Sequence, residues 1–150
     1  VGWADLPDGS RHPFVWEDGT MTDLGTLGGR FGEGRSINDR GVAVGYAQDA
    51  AGRLVPFTWR DGVMTPIPEL AAGTASGNND RGAVIGNTAE GKAYYLDDGV
   101  LTVLDDLPVV QASGFTQLIA NDINERGWII GWGFKVGGSP NGDAFVLKPK

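Results

Sequence analysis

Cysteine is absent from this chain of 150 residues, and histidine occurs once. Without cysteine, disulfide bonds, cysteine-ligated zinc and thiol catalysis are excluded. No run of roughly 18 apolar residues, the minimum for a membrane-spanning helix, is present. The chain is therefore not expected to span a membrane.

Basic side chains are also scarce, with 12 Lys and Arg against 19 Asp and Glu, so the formal net charge is −7. Proteins that bind nucleic acid need a basic face to neutralise phosphates. Attachment to anionic lipid needs positive charge as well. Neither nucleic acid nor an anionic membrane surface is an expected partner.

Glycine is what the chain has in abundance, with 25 residues, together with 8 Pro and 5 Trp. Hydrophobic residues make up 41% of the chain, which is too many for a disordered segment. Short strands joined by tight turns require this combination of glycine with aromatic and β-branched residues. The composition predicts an all-β protein.

Three sequence anchors recur in a fixed order and identify a repeat of about 43 residues. The first anchor, Asn38–Gly41, returns at Asn79–Gly82 and Asn124–Gly127, after 41 and 45 residues. The second is a β-branched residue followed by Gly, and the third an aromatic segment that runs into Asp-Gly in three of its four copies. The second anchor occurs as Val1-Gly2, Val44-Gly45, Ile85-Gly86 and Ile130-Gly131, and the third begins at Pro13, Pro56, Ala93 and Ala144.

Each anchor predicts a particular turn. Asn-Asp-Arg-Gly suits a hairpin loop made of a type I turn followed by a left-handed Gly, in which the Asn side chain braces the turn. Asp-Gly supplies positive φ at both central positions of a type I′ turn, so Trp16–Met21 and Trp59–Met64 are predicted hairpins. Gly45 predicts either a close approach of the neighbouring unit or a bulge.

Four strands per unit follow from these turns, which is the blade of a β-propeller. The chain is predicted to be one repeat domain, a propeller or propeller fragment of four-stranded antiparallel blades with about 3.5 repeats and 14 strands. In the best-preserved copy the strands, a to d, are near Arg35–Asn38, Val42–Ala47, Val55–Arg60 and Val63–Ile67. The predicted units are 1–32, 33–73, 74–110 and 111–150, of which the first lacks strand a and the last lacks strand d.

The long link at Asp105–Ala120 departs from the repeat, and we expect there an ordered excursion or a place where a partner binds. Incomplete first and last units also leave open edges, at Val1–Trp3 and Phe145–Lys148. Open edges invite strand pairing, so a protein partner or further repeats are expected at them.

The stretches His12–Gly29 and Ser36–Tyr46 resemble the HAF repeat, a bacterial extracellular repeat family. The similarity is strong in the first two units and weaker in the third and fourth. It implies a propeller-like fold and an exported protein that is periplasmic, cell-surface or secreted. It implies no reaction and no particular ligand.

Candidate catalytic and metal-binding residues mostly fall where the repeat needs them. His12 stands at an anchor position, and no Gly-x-Ser-x-Gly elbow supports a serine nucleophile. The acidic pairs at 17–18, 97–98 and 105–106 are adjacent in sequence, whereas a glycosidase needs carboxylates facing each other across a cleft. Asn141 and Asp143 offer oxygen ligands for calcium, although an Asn-Gly turn explains them better. No cofactor is expected.

Four aromatic residues are the candidates for ligand or partner binding. Trp3, Tyr46 and Trp132 share one repeat position and could line a glycan or peptide site, although packing between blades is the simpler interpretation. Trp128 replaces Val42 and Ala83 in the fourth unit only, which indicates a contact surface. The sequence predicts a non-enzymatic binding or scaffolding module, an accessory subunit of a larger extracellular or membrane-surface assembly. A carbohydrate-binding or carbohydrate-active propeller is the alternative.

Overall fold

The computed structural model describes residues 1–148 and is built almost entirely of antiparallel strands. Fourteen strands are present, and they form three, four, four and three-stranded meanders in chain order. The first meander has β1 (Gly2–Asp5), β2 (Arg11–Glu17) and β3 (Thr20–Asp23), and the second has β4 (Gly28–Ile37), β5 (Ala43–Asp49), β6 (Leu54–Arg60) and β7 (Val63–Pro66). The third has β8 (Gly73–Asn78), β9 (Val84–Thr88), β10 (Ala93–Asp97) and β11 (Val100–Val103), and the fourth has β12 (Phe115–Ile123), β13 (Ile129–Lys135) and β14 (Asp143–Leu147).

This arrangement confirms the all-β class, the strand number and the order b-c-d, a-b-c-d, a-b-c-d, a-b-c. The sheets form an open series and do not close into a ring within residues 1–148. A single parallel bridge between Arg11 and Phe31 joins the first meander to the second. The last two residues of the fourth predicted unit lie outside the described residues. No helix in the described chain is long and apolar enough to cross a membrane.

The predicted turns are present. Asp18, Asp61 and Asp98 have φ of 48°, 50° and 48°, and the Gly after each also has positive φ, as a type I′ turn requires. In the other hairpin, Asn38 Oδ1 accepts hydrogen bonds from the backbone N–H groups of Arg40 and Val42. The same pattern repeats at Asn79 and Asn124.

Neighbouring meanders are also joined through these Asn turns, which the sequence did not indicate. Asn38 Nδ2 donates to the carbonyl oxygen of Asn79 at 2.9 Å, and Asn79 Nδ2 donates to that of Asn124 at 3.2 Å. The backbone N–H of Asp39 donates to Asp80, and that of Asp80 donates to Glu125. The turns therefore form a hydrogen-bonded ladder that runs from the second meander to the fourth.

At Gly45 the predicted bulge is confirmed, and the alternative prediction, a close approach of a neighbouring unit, is wrong. A Cβ atom at Gly45 would overlap the carbonyl oxygen of Glu33, which lies on strand β4 of the same meander and not on a neighbouring unit. The pairing of β4 with β5 shifts register between Gly34 and Ser36, directly opposite. Gly86 and Gly131 repeat this contact with Thr74 and Ile119. Glycine is needed here because the bulged strand a presses its backbone against strand b.

Residues 104–114 form an ordered excursion, with a 3-10 turn at Leu104–Asp106 and a short helix α1 (Pro108–Ala112). It is shorter than the predicted Asp105–Ala120, because Phe115–Ala120 belong to β12. Asp105 fixes the excursion in place. One carboxylate oxygen accepts the backbone N–H of Ala93 at 2.7 Å, and the other accepts that of Leu118 at 2.9 Å. Val110, on helix α1, packs into the core shared by the third and fourth meanders. The excursion is therefore a rigid cover over that junction.

Candidate functional site

An apolar cleft of about 180 Å³ opens between the third and fourth meanders, beside the excursion. Its walls come from three places: the excursion, strands β10 and β11 of the third meander, and strands β13 and β14 of the fourth. The lining residues are Tyr95, Thr102, Leu104, Leu107, Val109, Gly127, Ile129, Leu147 and Lys148. Two sequence predictions meet here, because the excursion lines the opening and the off-pattern Trp128 is the sequence neighbour of two lining residues, Gly127 and Ile129.

Trp128 lies next to Gly127 and Ile129 of the cleft and is half-buried, with two cations close to its ring. The Lys148 ammonium lies 4.2 Å from the centre of its ring, and the Arg126 guanidinium lies 5.8 Å away. Cations over an indole face are attracted by its quadrupole and hold the ring in place. The cleft therefore has a rigid aromatic and cationic rim beside an apolar floor.

The outer edge of β14 borders the same cleft. Strand β14 pairs with β13 along one edge, and the described residues place no strand on its other edge. In the first three meanders the equivalent strand has a neighbour on that side: β2 pairs with β3, β6 with β7 and β10 with β11. The predicted open edge at Phe145–Lys148 is therefore present for Phe145 through Leu147. At the other end, β1 pairs with β2, and no other strand of residues 1–148 pairs with it.

Comparison with the other meanders shows which side chain would fill the position of the cleft. In the second meander, Met64 on the outer strand packs against the core cluster that contains Val15 of the first meander. The residue equivalent to Val15 in the third meander is Tyr95, which lines the cleft. The cleft thus lies where an outer strand of the fourth meander would place a side chain like that of Met64.

The three aromatic residues at one repeat position do not form a single cluster. Trp3 and Tyr46 are linked through Arg11 and Phe31, whose ring centre lies 5.2 Å from the Arg11 guanidinium and 6.3 Å from that of Tyr46, whereas Trp132 contacts Phe134. The Arg11 guanidinium stacks 3.8 Å from the ring centre of Trp3, which is 43% exposed. Trp132 makes an edge-to-face contact with Phe134, with ring centres 5.4 Å apart. Tyr46 lines a separate polar cleft of about 290 Å³ together with Asn87, the fourth member of the series.

Tyr46 belongs to a buried polar network around Glu33, which the sequence analysis missed. The Glu33 carboxylate accepts hydrogen bonds from the Tyr46 hydroxyl at 2.5 Å and from Arg11 at 3.1 Å. Arg35 adds a longer contact at 3.4 Å. These contacts tie the first meander to the second. The sequence signal for this network was Glu33, a charged residue within the glycine-rich stretch that forms β4.

The Tyr46 phenol provides a pH test of this network. Burial, followed by the hydrogen bond to Glu33, raises the pKa of Tyr46 to about 12, above the value of about 10 for an unfolded chain. The stabilisation is complete below the unfolded pKa and is lost as pH rises from about 10 through 12. Burial raises the pKa values of Tyr94 and Tyr95 as well, so Tyr46 is isolated by subtracting the spectrophotometric titration of Tyr46→Phe from that of the unchanged chain. The difference should show a tyrosinate transition above the ordinary pKa. A Tyr46 transition at the ordinary pKa would contradict the buried network.

The remaining candidates make local contacts. His12 Nδ1 lies 2.9 Å from the Asp23 carboxylate, and the nearby Ser10 hydroxyl bonds instead to Asp8. Asp106 pairs with Lys92. Asn141 donates its backbone N–H to Ser139, and Asp143 begins β14. Within residues 1–148, no group of three or more His, Asp or Glu side chains is placed to hold a metal ion.

Comparison of the chain with protein-family models, with curated proteins and with solved structures finds no match.

Proposed function

We propose that the chain is a propeller segment that works as a non-enzymatic binding module, which accepts an extended strand of a protein partner along β14. The observation that carries this proposal is the apolar cleft beside the unpaired edge of that strand. Strand addition supplies affinity through backbone hydrogen bonds, and side-chain pockets along the edge supply specificity. The unpaired strand edge and the apolar cleft both lie within a few residues of Leu147.

The shape of the cleft indicates which side chain the partner contributes. Its lining is apolar, and it occupies the position where Met64 packs in the second meander. A flexible side chain of the size of Met or Leu therefore fits best. Lys148 at the rim is the repeat equivalent of Glu17, which pairs with Thr20, the residue before Met21, so an acidic residue immediately before the anchor is favoured.

The chain's own outer strand is the most direct probe. A labelled peptide of residues 19–24 carries the β3 sequence and places Met21 at the anchor position. We expect saturable binding in fluorescence anisotropy, and at least about a tenfold loss when Met21 of the peptide is replaced by Asp, because burying a methionine stabilises by about 1.5–3 kcal/mol.

A protein variant completes the test. Leu107→Asp places a charge in the cleft wall and should abolish peptide binding, whereas Val63→Asp, 62% exposed on β7, should leave it unchanged. Equal binding of both peptides, or none by either, would contradict a strand-accepting site. The resemblance to the HAF repeat supports an exported protein, so the partner is expected outside the cytoplasm.

A further inference from the structure

Consecutive meanders pack through the same pair of repeat positions. One meander contributes an aliphatic residue from strand b, and the next contributes an aromatic residue from strand c. Val44 and Tyr94 belong to one such core cluster, and Ile85 and Phe145 belong to the next. Val44, Ile85 and Tyr94 are all 0% exposed, so each interface is sealed at this pair.

The fourth meander presents this strand-b position to solvent. Ile130 is the repeat equivalent of Val44 and Ile85, yet it is 48% exposed. Side chains alternate along β13, so Ile129 and Gly133 face the third meander, whereas Ile130 faces away from it. The residues that share this outward face of the fourth meander are Ile130, Trp132, Phe134 and Val146, and each is more than a third exposed.

The first meander leaves the complementary face open. Phe14 is the equivalent of Phe57 and Tyr94, but it is only half-buried. Met21 and Trp16 are 59% and 61% exposed, whereas their equivalents in the second meander pack against the preceding one. The backward face of the first meander, defined by Phe14, Trp16 and Met21, therefore has no cover within the described residues.

We propose that these two faces bind each other between copies of this chain, so that the outward face of the fourth meander in one copy covers the backward face of the first in another. Two pairs of these residues are repeat equivalents of side chains that pack together between meanders inside the chain. Ile130 would contact Phe14, as Val44 packs with Tyr94, and Val146 would contact Met21, as Val15 packs with Met64. Exposed apolar patches of this kind mark interaction surfaces.

Such a contact is heterologous, because the two partners contribute different surfaces. It closes into a ring or continues as an open chain of copies, depending on the rotation between them. Both faces are uncovered within residues 1–148 of each copy, so a dimer that uses one pair of faces leaves the second pair free, and growth stops at the dimer only if that second pair also meets. The contact uses sheet faces and not the β14 edge, so strand acceptance and self-association are independent.

Sedimentation velocity over a dilution series of the 150-residue chain tests the proposal. We expect concentration-dependent association, weakened at least about 30-fold by Ile130→Asp, which places a charge at the centre of the interface. The matched control is Val63→Asp, which alters a residue that is 62% exposed and lies on neither face. Circular dichroism should show that both variants keep the fold, since both positions are exposed.

Cysteine pairing then determines which surfaces meet. The chain has no cysteine of its own, so Val146→Cys and Met21→Cys each introduce one thiol. Under mild oxidation, a mixture of the two variants should give a mixed disulfide far more readily than either variant gives its own dimer. A chain that stays monomeric at all concentrations, or a preference for the Val146 self-dimer, would overturn the proposal.

Discussion

Replacing Phe57 with alanine should destabilise the fold by about 3–5 kcal/mol, the usual cost of deleting a fully buried phenylalanine. Its ring is 0% exposed and shares a face of strand β6 with Trp59, which packs against the core cluster that contains Val15 of the first meander. Because the backbone on both sides is fixed by sheet hydrogen bonds, the cavity has little freedom to collapse. Equilibrium urea denaturation, followed by circular dichroism, measures the change.

Phe14→Ala is the matched control, since Phe14 occupies the same repeat position in the first meander but is only half-buried. Its loss should be clearly smaller, about 1–2 kcal/mol, when the chain is dilute enough to be monomeric. Equal losses at the two positions would mean that the stack of meanders does not bury Phe57 as described. A larger effect of Phe14→Ala at high concentration would instead reflect the interface between copies.

The local structure of the repeat could be predicted because it depends on short-range chemistry. Asp18-Gly19 and its copies adopt the type I′ geometry that this dipeptide favours, and Asn38 braces its own turn. The order of strands follows from the spacing of these turns. Strand lengths were predicted less well: β4 begins at Gly28, several residues before the predicted start near Arg35, because the glycine-rich connector continues to pair with β5.

Contacts between units could not be predicted from the repeat alone. Equivalent positions have different environments, since Val44 is sealed by the next meander and Ile130 has no next meander among the described residues. Asp105 gives another example. In the sequence Asp105 is one of two adjacent carboxylates, Asp105 and Asp106. In the structure its two carboxylate oxygens accept hydrogen bonds from strand β10 and strand β12 and so join them across the excursion. The apolar cleft arises from the same three-dimensional arrangement: the sequence indicated the excursion and the open edge at Phe145–Lys148 separately, but not that they line one cavity.

A substitution in the hydrogen-bonded ladder of Asn turns should weaken the contact between neighbouring meanders as well as the turn that carries it. Asn79 is 1% exposed, and its side chain satisfies three groups: the backbone N–H groups of Arg81 and Ala83 and the carbonyl oxygen of Asn124. Asn79→Ala leaves the buried N–H of Ala83 without a partner and removes the rung to the fourth meander. Losing a buried hydrogen-bonding group of this kind costs about 2–4 kcal/mol in the free energy of unfolding.

Asn124→Ala separates the two parts of that loss. Asn124 braces its own turn in the same way, with its Oδ1 accepting the N–H groups of Arg126 and Trp128. Its Nδ2, however, has no acceptor within residues 1–148, because no further turn of the repeat lies beside it there. The change should therefore cost about 1–2 kcal/mol, which reflects the local turn alone. The difference between the two variants, measured by urea denaturation, is the contribution of the rung between meanders. If Asn79→Ala and Asn124→Ala lower the free energy of unfolding equally, the rung between meanders contributes nothing measurable. The meanders are then held together by side-chain packing alone.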